Sequence, residues 1–332
     1  MAYKATLIPG DGIGPEVTGA TVRVLAAAGA PIEWETVHAG RKAFEETGIP
    51  VPENVLTSLR TNRIGLKGPL ETPKGKGFRS ANVTIRQELE LYTGLRPVKS
   101  LPGIITPYEN VDLVVLRENT EDLYAGIEHE LAPGQIISVK VSTRSAGERI
   151  SKWAFEYMRY RGRRLISCCA KPSVNPMSDG AFVDAFQKIG QDYPYIAQNT
   201  MPIDNVSMAL AMDPTNFDVL LLQNLSGDIL SDLCAGLVGG LGVVPGANVG
   251  DRIAVFEAVH GTAPDIAGKG IANPLAVLMS GVMLLEHIGE RAIADKVNRA
   301  IWDVLEKGEH LTGDLGGNAN TKTFTDALID AL

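Results

Sequence analysis

Short apolar runs that alternate with helix-period segments constrain this chain more than any other feature. Val111–Leu116, Leu165–Ala170, Val219–Gln223 and Ile253–Val259 are near-continuous hydrophobic stretches, the pattern of strands buried on both faces. Ala5–Ile8 adds a shorter run ahead of a glycine-rich turn. Between them, Glu16–Ala28 (with Val17, Val22 and Leu25), Trp153–Arg159, Asp179–Ile189, Leu275–Ile288 and Ile293–Leu305 place apolar residues at helical spacing. Alternation of this kind predicts an α/β architecture rather than a sandwich or a bundle. At 332 residues the chain has room for two domains, on a usual size of roughly 150 residues each.

One segment breaks the alternation. Glu128–Val141, EHELAPGQIISVKV, reads as a hairpin where a helix is due. A projecting hairpin of this sort suits a contact between subunits.

Composition narrows the function classes. The net charge is −8, so no broad basic surface exists for nucleic acid. An anionic substrate would need positive charge gathered locally in a cleft. Long apolar runs are broken by Gly, Pro or charge before they reach membrane-spanning length. The N-terminal MAYKATLIPGDGIG lacks the layout of a secretory signal. Cys168, Cys169 and Cys234 have no metal-ligand spacing, and Cys168 and Cys169, mid-strand, read as buried thiols in a reducing compartment. These features predict a cytoplasmic protein with neither nucleic acid nor membrane as partner.

The cluster Gly10-Asp11-Gly12-Ile13-Gly14 follows a strand and precedes a helix. A dinucleotide fingerprint needs G-x-G-x-x-G, however. Here the spacing is G-x-G-x-G, between Pro9 and Pro15. The better reading is a tight turn whose glycines permit unusual backbone angles.

Chemistry gathers in four other places. In the segment 79–96, Ser80, Asn82 and Arg86 put a hydroxyl, an amide and a guanidinium within two helical turns, and Arg96 follows. Arg117 ends the strand Val111–Leu116. Guanidinium forks pair carboxylates in bidentate fashion, so convergent arginines suit a substrate with several carboxylates. Arg86 alone has an ordinary alternative, an ion pair with Glu90 at i,i+4.

The second place is Asn224–Gly239, NLSGDILSDLCAGLVG, where Asp228 and Asp232 share one helix face among apolar neighbours. Oxygen ligands of that kind favour Mg²⁺ or Mn²⁺ over zinc. A first-turn position near the helix dipole accounts for Asp228 but not for Asp232. Asp204, in MPIDN, is a third carboxylate for such a site. Third, Tyr124 and Lys171 are acid/base candidates near strand ends, where sites form in open sheets. Either one by itself would pass for a surface side chain. Fourth, Val259–Pro274, VHGTAPDIAGKGIANP, offers small residues for close approach to phosphates. Its Asp265 could accept ribose hydroxyls and would repel a 2′-phosphate, although an ordinary Gly/Pro turn would share that spacing.

Taken together, LIPGDGIGPE, RENTEDLYAGIEH, NLSGDILSDLCAGLVGGLG, HGTAPDIAGKGIANP and TGDLGG resemble the isocitrate and isopropylmalate dehydrogenase family, in order and almost end to end. The resemblance implies a two-domain α/β fold with a non-Rossmann cofactor site and a β clasp hairpin. Residues 1–91 and 239–332 would form a large cofactor-binding domain. Residues 92–238 would form a small central one, with a dimer clasp near 122–143. It also implies a tricarboxylate substrate held by Ser80, Asn82, Arg86, Arg96 and Arg117, and a metal on Asp228 and Asp232 with Asp204 of the other subunit. Tyr124 and the other subunit's Lys171 would move protons. His260, Gly261, Thr262, Ala263, Asp265, Ile266 and Asn273 would hold the dinucleotide.

Within that family, the polar Ser80 and Asn82 are similar to isocitrate members, whereas isopropylmalate enzymes carry an apolar pair before the arginine. Asp265-Ile266 departs from the Lys-Tyr of NADP-dependent members and favours NAD. The expectation is NAD-dependent oxidative decarboxylation of isocitrate with Mg²⁺ or Mn²⁺, by a homodimer whose sites are shared between subunits. Homoisocitrate, isopropylmalate and tartrate are rival substrates, and a non-catalytic regulatory subunit is the rival role. Ser173 and Ser226 depart from the residues common in relatives, which bears on nicotinamide contacts rather than on the reaction class.

Overall fold

The structure is a computed structural model that describes residues 2–71 and 80–332. The strands are β1 Tyr3–Ile8, β2 Ile32–Thr36, β3 Ile64–Lys67, β4 Thr93–Lys99, β5 Asp112–Glu118, β6 Asp122–Ala132, β7 Gln135–Val141, β8 Leu165–Ala170, β9 Ala197–Pro202, β10 Val219–Leu222, β11 Pro245–Val249 and β12 Ala254–Ala258. The helices are α1 Gly14–Ala27, α2 Arg41–Thr47, α3 Glu53–Asn62, α4 Ala81–Glu88, α5 Arg144–Arg161, α6 Ser178–Gly190, α7 Ile203–Met212, α8 Asn224–Leu237, α9 Leu275–His287, α10 Arg291–Lys307 and α11 Thr321–Asp330.

Ten strands make one sheet in the order β2-β1-β3-β12-β11-β4-β5-β10-β8-β9. Two parallel blocks lie at its ends. One is β2-β1-β3-β12, drawn from both ends of the chain; the other is β5-β10-β8-β9, drawn from the middle. The antiparallel strands β11 and β4 join them. The apolar runs became buried strands as expected: Leu113, Val115, Ile166, Cys168, Leu220 and Leu222 are fully enclosed. Helices cover both faces, as parallel strands require. The buried faces of α9 and α10 pack Leu278, Leu285, Val297 and Ile301 into the same core as Val98 and Leu113 of the sheet.

The projecting hairpin is β6-β7, a separate two-stranded sheet. It starts earlier than the sequence pattern suggested, because Asp122 already pairs with Val141. The turn is made at Gly134, with φ of 76°. Its Leu131 and Ile136 are 62% and 66% exposed, far more apolar exposure than a free hairpin keeps stable in water.

Candidate active site

The site forms along the seam between the two parallel blocks. Arg117 leaves the C-terminal end of β5 and is 1% exposed. Its Nε and Nη2 donate to Asn224 Oδ1 at 3.0 and 2.7 Å, and its Nη1 donates to Asp228. Close approach of α8 to this guanidinium stem requires Gly227, where a Cβ would fall 2.7 Å from Arg117 Cγ. Asp228 also accepts from the Tyr124 hydroxyl at 2.5 Å. The Arg117 guanidinium lies over the Tyr124 ring, 4.9 Å from its centroid. Arg96, from β4, donates to Ser231 and reaches Asp228 and Asp232 at 3.6 and 3.5 Å. Arg96, Arg117, Tyr124, Asp228 and Asp232 are therefore one cluster.

Arg86, on α4, joins it electrostatically. It pairs with Glu257 on β12 at 3.2 Å rather than with nearby Glu90, so its partner comes from across the fold. Lys67, at the end of β3, pairs with the same carboxylate, and Asn248 donates to it. Burial alone would push the Glu257 carboxyl up, but Lys67 and Arg86 outweigh it and hold it down at about 2. Arg117 is lowered to about 9 by burial and then by the charges of Arg86 and Arg96. Burial followed by Arg86 lowers Arg96 as well.

The two aspartates differ. Asp228 is partly buried, but the arginines and the Tyr124 hydrogen bond hold it below the usual carboxylate range against that burial. Asp232 is raised, first by burial and then by the neighbouring Asp228 charge, although Arg96 opposes this. Tyr124 is raised by burial and by its bond to Asp228.

A cleft of about 130 Å³ runs past these groups and is lined by Asn82, Arg86, Arg96, Lys67, Glu257 and His260, among others. Asn82 Oδ1, Arg86 Nε and His260 Nε2 are buried there with no hydrogen-bond partner among the described residues. Buried polar atoms left unpaired mark a place for a polar ligand. Burial lowers His260, favouring the neutral ring. Its Nδ1 faces the Gly261 carbonyl at 3.0 Å. A carbonyl only accepts, so Nδ1 carries the hydrogen and the buried Nε2 is left as an acceptor. Ser80 precedes α4 at its N-cap, and its hydroxyl makes no capping bond.

The segment from Gly261 to Asn273 forms the loop between β12 and α9. Ala263 is held at φ of 40° and Asp265 is exposed. Ile266 is half-buried and closes a turn onto the Ala263 carbonyl at 3.1 Å. Asn273 accepts from Leu275 N at the start of α9 and donates to Asp314 at 2.9 Å. The glycine cluster near the N-terminus supports this loop. Ile13 N donates to the Thr262 carbonyl at 2.9 Å, and a Cβ on Gly12 (φ of 59°) would collide with that carbonyl. Its role is backbone packing, as the irregular spacing suggested.

Lys171 and Asp204 stand apart from the cluster and pair with each other. Among the described residues, no group of three His, Cys, Asp or Glu side chains is placed to hold a metal ion. Asp228 and Asp232 supply hard oxygen donors beside Arg96, which lines the cleft, with side chains 38% and 55% exposed. The two side chains, four residues apart on α8, share one face of that helix. Both features fit a divalent cation bound by oxygen ligands.

Sequence reasoning missed Lys67, Glu257 and Asn248. A charged residue inside an apolar run was the available signal, since Lys67 follows IGL and Glu257 interrupts AVFEAV.

The isocitrate/isopropylmalate dehydrogenase family model matches residues 4–330. The chain belongs to the isocitrate/isopropylmalate dehydrogenase family. A crystal structure of isocitrate dehydrogenase from Methylococcus capsulatus superposes with a TM-score of 0.96 at 46% identity, covering 99% of each chain. The family fold, with its mixed sheet and projecting hairpin, is thereby established. A probable mitochondrial alpha subunit of NAD isocitrate dehydrogenase from Drosophila melanogaster is 46% identical over 99% of this chain and 87% of its own. A mitochondrial regulatory subunit of NAD isocitrate dehydrogenase from Dictyostelium discoideum is 47% identical, over 98% and 91%. An NADP isocitrate dehydrogenase from Thermus thermophilus is 46% identical, over 98% of this chain and 67% of its own.

These family members correct one expectation. The cytoplasmic assignment is overturned, because the Drosophila and Dictyostelium relatives are mitochondrial. Buried reduced thiols and an ordinary soluble composition suit either compartment, so composition could not separate them.

Proposed function

We propose that this family member catalyses the NAD-dependent oxidative decarboxylation of isocitrate to 2-oxoglutarate and CO₂ with Mg²⁺ or Mn²⁺. The observation that carries this reading is the convergence of Arg86, Arg96 and Arg117 with Asp228, Asp232 and Tyr124 beside unpartnered polar atoms. Within one chain, Lys67 and the three arginines face Glu257, Asp228 and Asp232. Four cations thus meet three carboxylates. A divalent cation raises the surplus to three positive charges, the complement of a fully ionised tricarboxylate.

In this reading Ser80, Asn82, Arg86, Arg96 and Arg117 bind the substrate carboxylates and fix their orientation. Asp228 and Asp232, with Asp204 of a second copy, hold the metal, which when bound supplies Lewis acidity to the substrate oxygens. Lys171 of the second copy takes up the hydroxyl proton, and NAD, when bound, would accept the hydride. After CO₂ is lost, Tyr124 delivers a proton to the carbon that becomes a methylene. Its short bond to Asp228 aims that hydroxyl at the reacting edge.

The dinucleotide lies along His260, Gly261, Thr262, Ala263, Asp265, Ile266 and Asn273. The exposed Asp265 supports NAD, since its charge would repel a 2′-phosphate. The two parallel blocks of the sheet support a division into 1–91 with 239–332 as the large unit and 92–238 as the small one. Exposed Leu131 and Ile136 on the hairpin, Met208 and Met212 on α7 and Ile229 on α8 support a homodimer with shared sites. The retained Lys171, Tyr124, Asp228 and Asp232 support a catalytic role rather than a regulatory one.

The test is reduction of NAD and NADP by purified protein with Mn²⁺, across isocitrate, homoisocitrate, isopropylmalate and tartrate. Fastest NAD reduction with isocitrate, abolished by a chelator, is expected. Preference for another acid would refute the roles given to Ser80 and Asn82, and no turnover at all would refute the catalytic reading.

A further inference from the structure

Lys140 lies near the end of β7, at the base of the hairpin and outside the cluster described above. Its ammonium pairs with Asp179, donates to Gln223 Oε1 at 2.9 Å and lies 3.8 Å from Asp122 Oδ1. Both carboxylates are buried, with side chains 5% and 6% exposed. Among the described residues, no other cation forms an ion pair with either of them.

What these partners do next gives the contact its meaning. Asp179, in the first turn of α6, accepts the backbone N–H of Lys171 at 2.8 Å. It therefore anchors the loop that carries Lys171 and, through it, the Lys171–Asp204 pair. Asp122 accepts the backbone N–H of Leu225 at 2.9 Å, in the first turn of α8. Gln223 is the residue before that helix, and its carbonyl accepts from Gly227 N at 2.8 Å. These two residues set the start of the helix that carries Asp228 and Asp232. Asp122 also stands two residues before Tyr124.

We propose that Lys140 is a positioning residue that ties together the two half-sites one chain contributes to a shared-site dimer. One half-site is Tyr124, Asp228 and Asp232, which the chain keeps. The other is Lys171 and Asp204, which it lends. The proposal rests on the shared-site reading above. Because one ammonium braces both, a shift in one half-site displaces the other, and each chain's hairpin couples the two active centres. The two buried carboxylates cannot make this link themselves, since like charges repel and neither can donate.

The test uses hybrid dimers purified with two different tags. One chain carries Asp232→Asn and the other Lys171→Met, each inactive as a homodimer. The hybrid retains one centre with all its native residues. Recovered activity establishes sharing; no recovery from a folded hybrid overturns the shared-site reading, and with it the proposal. Given recovery, Lys140→Gln is placed in either chain alone. It is expected to lower kcat of the surviving centre by about ten-fold or more from either side, with KM for isocitrate little changed, because small misplacements of reacting groups are costly. In the unliganded homodimer, amide exchange is expected to quicken in both 171–179 and 223–228 but not in β5 or β10. A loss from one chain only, or from neither, refutes the coupling; so does quickened exchange throughout the sheet, which marks general loosening. If Lys140→Gln does not assemble, Lys140→Arg carries the same test. It keeps the charge but changes the donor geometry, and its smaller loss must again come from both chains.

Discussion

Arg117 packs against both Tyr124 and Gly227: the tyrosine ring centroid lies 4.9 Å from its Cζ, and a Cβ on the glycine would fall 2.7 Å from its Cγ. The arginine proposed to bind substrate, the tyrosine proposed to carry a proton and the helix that carries the aspartates are thus held in register by contacts to one side chain. Changing any of them should be felt by the others.

Gly227→Ala is the sharpest probe of that contact. The new methyl would fall 2.7 and 2.9 Å from Arg117 Cγ and Cβ, in a site with no space to yield. Overpacking of this sort costs about 1–3 kcal/mol. Denaturant unfolding should show the loss of stability, and kcat/KM should fall with it. An alanine variant of native stability would mean that α8 sits further from Arg117 than described.

Tyr124→Phe should act on chemistry rather than on binding. It removes the hydroxyl that donates to Asp228 at 2.5 Å while keeping the ring under Arg117. A lost proton donor is worth roughly 10²–10⁴ in rate. Steady-state kinetics should show kcat falling with KM for isocitrate nearly unchanged.

Arg96→Met should show the opposite split. Arg96 is 8% exposed, and its guanidinium reaches both aspartates. A charge-assisted hydrogen bond contributes about 1.5–3 kcal/mol, so KM should rise about ten-fold or more. If kcat alone fell, Arg96 would belong to the transition state rather than to uniform binding.

Glu257 links stability to pH. Its carboxyl titrates at about 2 in the fold, against an ordinary value of 4.5. A depressed folded value stabilises the protein above the ordinary one, and that stability is lost as pH falls through about 2. The contribution is on the order of 3 kcal/mol at neutral pH. Glu257→Gln would leave Lys67 and Arg86 buried without their shared anion. It should lose about 3–5 kcal/mol at pH 7 and show a shallower fall in stability between pH 4.5 and 2, where Glu257 titrates. Urea melts across that range measure both effects.

Asp265→Lys combined with Ile266→Tyr should turn the cofactor preference toward NADP, by about ten-fold or more in the kcat/KM ratio, since removing like-charge repulsion is worth several kcal/mol. Asp265 is exposed, so the exchange should leave the melting temperature close to that of the parent. An unchanged ratio would place cofactor choice elsewhere in the loop.

The sequence by itself determined the layers and most of the chemistry. Apolar runs such as Val219–Gln223 need cover on both faces, which a sheet layered between helices supplies, and the i,i+4 spacing of Asp228 and Asp232 places them on one helix face before any fold is known. Arg117 was legible because it ends such a run. What the sequence could not decide was partnership. Arg86 pairs with Glu257, 171 positions away, rather than with nearby Glu90. Lys140 joins Asp122, Asp179 and Gln223, none of them neighbours in the chain. Local spacing limits what a residue can reach within its own element, but the sheet order brings β3, β12 and β4 to one seam. Only the folded chain decides which buried charges must answer one another there.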